Sequence, residues 1–222
     1  MADASPVKFY YFPLTARGLP SVLALEVSGI PYEGHAVSFD EWPKLKASGI
    51  CPYDYLVLLV LPDGTRIQET AAVLMTIGKL GGLNGDSTSD FGISAMLSCK
   101  TCEMMSDFAK HQPTLSTVKN FGSAELAKLK EYLPKLSADF AYHEKMCTEE
   151  GFFTSTGTTV GELWLWGLMY EIKRAEAAVE YGPKLQKFYA RLEAHPAVQK
   201  VITGKSQMGA LGDYIIPVPK DL

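Results

Sequence analysis

The spacing of apolar residues changes about a third of the way along the chain. In the first part they come in short runs: residues 8–12 (KFYYF), 32–37, and 56–61 (LVLLVL). Runs of this length, rich in β-branched and aromatic residues, predict strands. The unbroken run at 56–61 suits a strand buried on both faces. Pro62-Asp63-Gly64 is a turn signal, and residues 65–68 return as the partner strand. Helical stretches lie between these runs. Val22, Leu23, Leu25 and Val27 fall in a helix expected over 17–28, ending at Gly29, which tolerates positive φ. Residues 40–46 (DEWPKLK) predict a short helical turn with Pro43 near its start. Val73, Leu74, Ile77 and Leu80 share one face of a helix over 70–80. The order is βαβ, then ββα.

From Ser87 onward no strand signal remains. Helical periodicity covers 89–110, 124–142, 159–179 and 183–194, the last stopping before His195-Pro196. Thr159-Val160-Gly161-Glu162 is a capping box in front of the apolar run LWLWGLM. Residues 81–89 (GGLNGDSTS) have linker composition. The expected architecture is an α/β domain over 1–83 joined to an all-α domain over 90–222. No internal repeat or low-complexity tract interrupts it.

Composition narrows the function. A chain of 222 residues buries a large core, so it folds without disulfides or metal. The formal net charge of −4 argues against nucleic acid and against a basic membrane-binding face. Cys51, Cys99, Cys102 and Cys147 are too few and too irregular for a secreted disulfide framework. Residues 1–8 are short and polar, unlike a leader, and no apolar run is long enough to span a bilayer. The expected setting is a reducing cytoplasm.

Five fragments, in order, resemble those of the cytosolic glutathione transferases over nearly the whole chain. YYFPLTAR resembles that family's first strand and turn, and WPKLK its glycine-contacting segment. DGTRIQETAAVLMTIGKLGGLNG, FFTSTGTTVGEL and YGPKLQKFYARLEAHPAV resemble three later stretches. The resemblance implies a thioredoxin-like N-terminal domain, a helical C-terminal domain and a two-fold dimer. It implies glutathione as co-substrate and a small apolar electrophile bound between the domains, in a member of the tyrosine type, sigma- or pi-like.

It also assigns residues. Tyr11 stands where such members keep a catalytic tyrosine. A free thiol has a pKa of roughly 8.5, and a phenol donating to the sulfur favours the thiolate. Arg17 matches an arginine that steadies the tyrosine or the peptide. Trp42 and Lys46 match residues that bind the glycine carboxylate. Glu69 and Thr70 open the helix that takes the γ-glutamyl end at its N-terminus. Glu103 matches an acid that reaches the substrate amine across the dimer. Tyr10, one residue from Tyr11, points to the opposite face of its strand and is expected in the core.

Val57 departs from the family pattern, which has a cis-proline there, with the preceding residue, here Leu56, offering its backbone to the cysteinyl part of glutathione. A non-proline cis bond costs roughly 2.5–4 kcal/mol, so the Leu56–Val57 peptide is expected trans. Ser155-Thr156 replaces Gly-Asp and removes an acid from the start of the helical run that follows. Other signals point to packing. Cys99 and Cys102 form a CxxC inside an expected helix rather than at a redox turn. His35, His111, His143 and His195 are scattered, and no metal site is expected. Trp164 and Trp166 are two residues apart and so face different ways, with at least one in the core. Met75, Met96, Met104 and Met105 fit either a dimer seam or the core. Two functions remain open: a transferase using Tyr11, or a transferase-fold protein kept as a structural or assembly subunit.

Overall fold

The computed structural model describes residues 5–222. Residues 1–4, half of the stretch read above as unlike a leader, lie outside the described residues. Four strands form one sheet in the order β2-β1-β3-β4. They are β1 (Val7–Tyr11), β2 (Tyr32–Ala36), β3 (Leu58–Val60) and β4 (Arg66–Gln68). β1 pairs parallel with β2 and antiparallel with β3, which pairs antiparallel with β4. Along β1 the side chains alternate. Val7, Phe9 and Tyr11 enter the core, while Lys8 and Tyr10 face outward. Tyr10 is therefore not the core residue expected from the sequence. It is half-buried and stacks on His35 with ring centroids 4.2 Å apart, on a face of the sheet that a short helix and the segment before β3 cover only in part.

That short helix is α2 (Trp42–Ala47), with no buried residue. The inner face is covered by α1 (Leu19–Ser28) and α3 (Thr70–Gly81). α1 ends at Gly29 with φ 67°, as its sequence predicts. Helices alone follow: α4 (Thr88–His111), α5 (Ser123–Met146), α6 (Val160–Arg174), α7 (Pro183–Glu193) and α8 (Pro196–Ile202). Among the described residues none is long and apolar enough to cross a membrane.

α6 is the axis of the molecule, packing against α1, α4 and α7. Its middle, residues 163–169, is apolar on every face, and Trp164 and Trp166 are both fully buried. Its capping box forms: Glu162 Oε2 accepts from Thr159 N–H at 3.1 Å, and Oε1 accepts from Phe153 N–H at 2.8 Å. The acid missing at Thr156 is supplied from another helix. Asp90 of α4 accepts from the Ser155 N–H at 2.9 Å and from its hydroxyl at 2.8 Å.

Two helices differ from the sequence reading. α6 stops at Arg174 rather than 179, because Glu176 takes φ 53° and the chain leaves the helix. α8 begins where the expected helix stopped: Pro196 fills its first turn, and His195 Nδ1 accepts from Ala197 N–H at 3.2 Å. The methionines divide, Met104 and Met105 in the core and Met96 exposed. Cys99 and Cys102 are unpaired within α4.

Candidate active site

Strand register builds one end of the sheet. Tyr10 is opposite Leu58, and Leu58 is opposite Gln68. One residue further along each strand brings Tyr11, Val57 and Glu69 side by side, with Ala36 paired to Tyr11 on the other flank. This is the carboxyl end of the parallel pair β1–β2, where open α/β sheets bind ligands. Thr70 opens α3 there, and Arg17 lies in the single turn of 3₁₀ helix that joins β1 to α1. Trp42 starts α2 and meets this edge through Phe12, ring centroids 5.8 Å apart. Lys46 lies one turn further along α2.

Tyr11 is 8% exposed, and its ring lies directly on Gly18. Burial pushes its phenol up to about 12, against the opposing pull of the Arg17 charge and of the Gly18 N–H aimed at the oxygen. The hydroxyl therefore keeps its proton at neutral pH and is available as a donor. Arg17 is exposed and donates to Ser106 Oγ of α4 at 2.8 Å, tying the turn to the helical half. The Val57 side chain is buried in the core, and no cis peptide occurs among the described residues, so Leu56–Val57 is trans. Glu69 holds φ 70° without being glycine, a backbone costing about 1–3 kcal/mol that clusters at ligand-binding sites. Thr70 is buried at the first position of α3. Glu103 is not joined to the other residues within one chain. It is exposed on α4, paired with Lys100 at 3.5 Å, three residues before Ser106.

Sequence reading missed the segment that crosses this edge. Buried Gln68 accepts from Tyr53 N–H and donates to the Tyr55 carbonyl, both at 2.5 Å. The Tyr55 hydroxyl donates to Glu69, and Asp54 pairs with Lys46 at 3.6 Å. Two predicted ligand anchors thus meet the protein's own side chains. The pattern of β4 gave no signal of it, because Gln68 lies in the outward phase with Arg66, on the face that carries Tyr10, where a polar residue is ordinary.

No protein-family model matches the chain. A curated protein of Caenorhabditis elegans described as probable glutathione S-transferase 5 is 22% identical over 203 residues, 88% of this chain and 94% of its own. A solved C. elegans glutathione S-transferase superposes with TM-score 0.77 at 19% identity, over 90% of this chain and 98% of the other. A glutathione transferase homologue from Lodderomyces elongisporus, solved with two GSH per subunit, gives 0.74 at 18% identity, over 88% and 97%. The chain has the glutathione transferase fold.

Within this transferase fold the C-terminal tail closes the other side of Tyr11. Thr15 N–H donates to the Gly212 carbonyl at 2.9 Å, and Gly212 N–H returns to Pro13 at 3.0 Å. Tyr214 N–H donates to Thr15 Oγ1 at 3.3 Å. Arg174 grips Asp213 with two bonds of 2.5 Å, a bidentate pair that fixes the tail. The phenols of Tyr11 and Tyr214 are close enough to interact electrostatically.

Proposed function

We propose that the protein is a glutathione transferase that joins the tripeptide sulfur to a small apolar electrophile. The observation that supports this most is the row Tyr11–Val57–Glu69 at the ligand end of the sheet, with a protonated phenol beside a cationic Arg17. In this reading the γ-glutamyl carboxylate lies at the N-terminus of α3, where free N–H groups and the Thr70 hydroxyl favour an anion. Trp42 and Lys46 take the glycine carboxylate, and Leu56 and Val57 offer backbone to the cysteinyl unit. The sulfur then faces Tyr11, whose hydroxyl donates to the thiolate. Each unit by which the thiol pKa falls is about 1.4 kcal/mol. The electrophile approaches between Tyr11 and Tyr214. In a two-fold dimer, Glu103 on the exposed face of α4 would serve the neighbouring site. The four free cysteines suit a reducing cytoplasm.

Glutathione must displace Asp54 from Lys46 and Tyr55 from Glu69. Both contacts lie at the surface and hold weakly. They also give the competing reading, a chain kept for its shape, one specific support. Retention on immobilised glutathione, followed by conjugation of an activated aryl chloride, separates the two. Tyr11→Phe should keep retention and lose most turnover. Wild-type protein that neither binds nor conjugates would leave the fold without this activity.

A further inference from the structure

Glu171 of α6 is an acid where the helix should be apolar. It is 1% exposed and follows Leu168, Met169 and Tyr170. A buried carboxylate is tolerated only when a cation or several donors face it. Arg174, one turn on, is committed to Asp213. Glu171 accepts from the Ala16 N–H, and burial pushes its carboxyl up against the opposing pull of the Thr15 hydroxyl, the Ala16 N–H and the Ile215 N–H, all from outside the helix. One carboxylate thus joins α6, the turn after β1 and the C-terminal tail.

The turn needs such a grip. Ala16 holds φ 53°, a left-handed backbone that a residue with a Cβ keeps only when its surroundings impose it. The next two residues are Arg17 and Gly18, which supply the charge and the N–H that face the Tyr11 oxygen. We propose that Glu171 is a positioning residue for the Tyr11 hydroxyl, clamping the Thr15–Ala16 peptide so that Arg17 and Gly18 stay on the phenol. This rests on the transferase reading of the site.

Position and charge predict opposite outcomes. The groups around Glu171 are Tyr11 from β1, Thr15 and Ala16 from the turn, Asp213 and Ile215 from the tail, and Tyr170 and Arg174 on its own helix. Asp213, although paired with Arg174, still disfavours the charged form of Glu171. Burial favours the neutral form of Glu171, and any charge it keeps opposes a second anion near Tyr11, so removing only that charge would favour the thiolate. Removing the clamp loosens the donors behind the phenol and disfavours it.

The test is Glu171→Gln, which keeps the volume but turns an amide NH₂ toward donors. Thiolate absorbance of bound glutathione is followed against pH. We expect the apparent thiol pKa to rise by about one unit, roughly tenfold less thiolate at a given pH below it. Tripeptide affinity should stay within about twofold, since the anchors on α2 and α3 are untouched. A thiol pKa that falls would make Glu171 a mere opposing charge, and an unchanged one would make it a packing residue; either overturns the proposal. Fluorine NMR of 3-fluorotyrosine placed at Tyr11, without ligand, is the second readout. Its signal should shift and broaden in Glu171→Gln, while one at exposed Tyr142 stays fixed. An unmoved Tyr11 signal refutes the clamp. If wild type binds no glutathione, the transferase reading fails and the fluorine result alone decides. Should Glu171→Gln not fold, Thr15→Val removes a hydroxyl that faces Glu171 and accepts from the Tyr214 N–H, so it loosens the same clamp and must move both readouts in the same direction, or the proposal is wrong.

Discussion

Gly18→Ala tests the seat of Tyr11. The backbone at Gly18 has φ −81° and ψ −31°, which alanine adopts freely, so the substitution carries no dihedral penalty. The effect is steric. An added Cβ would lie 2.0, 2.4 and 2.6 Å from three atoms of the Tyr11 ring. Carbon atoms in contact prefer about 3.5–4.0 Å, so the ring must retreat by more than an ångström. It is rigid and buried, and it cannot swing into solvent. Overpacking of this kind costs about 1–3 kcal/mol, and the depth of overlap argues for the upper end. Alanine returns about 0.4–1 kcal/mol by restricting the unfolded chain. The expected net loss is about 2 kcal/mol, read as a lower urea midpoint at unchanged slope. Conjugation should fall more than glutathione retention, because the phenol moves while the anchors on α2 and α3 do not. Tyr11→Leu should relieve much of the cost, giving a clear coupling in the double-mutant cycle. If Gly18→Ala is as stable as wild type within about 0.5 kcal/mol, the close packing of Tyr11 on Gly18 is wrong, and with it the description of the site.

Two other predictions concern the frame around the site. Glu162→Ala removes the acceptor for the Phe153 and Thr159 N–H groups and leaves Arg191, 3.5 Å away, without its carboxylate. Loss of one partner of a buried pair costs about 3–5 kcal/mol, and partial hydration of Arg191 argues for about 3; a urea midpoint equal to wild type would refute the assigned network. Asp90 is held below the usual carboxylate range by the Ser155 N–H and hydroxyl, with help from Ser87. Its stabilisation is therefore complete above the unfolded value of about 4 and is lost as pH falls through the lower folded value. Asp90→Asn should lower the melting temperature at pH 7 and approach wild type in acid, and a pH-independent difference would rule out ionisation as the cause.

The elements were legible wherever a local pattern specifies them. Gly29 ends α1, the Pro62-Asp63-Gly64 turn separates β3 from β4, and the Thr159–Glu162 box starts α6, each within a few residues of sequence. Errors arose where the decisive contact is distant. Nothing near Arg174 predicts that α6 stops there, since Ala175 and Glu176 are ordinary helix residues locally. The exit follows from the fit of 175–182 against the core, where Ala177 and Val179 pack. Tyr10 was misplaced for a related reason: alternation gives its face correctly, but not what covers that face.

The site divides along the same line. Tyr11, Arg17, Trp42, Lys46, Glu69 and Thr70 lie at the ends of elements, and strand register alone gathers the ones on the sheet. What controls them comes from far along the chain. Glu171 is 155 residues from the peptide it grips, and Ser106 is 89 residues from Arg17. Neither partner carries a local signature beyond being polar. Yet Glu171 carries a mark that was readable, a polar group within the apolar run of α6, whereas Gln68 sits in the outward phase of β4 beside Arg66 and carries none. A residue so marked must find hydrogen-bond partners inside the fold, and Glu171 finds one at the sheet end that holds Tyr11. A buried acid that breaks a hydrophobic pattern therefore points to the sheet end that holds Tyr11, independently of the residues that would touch a substrate.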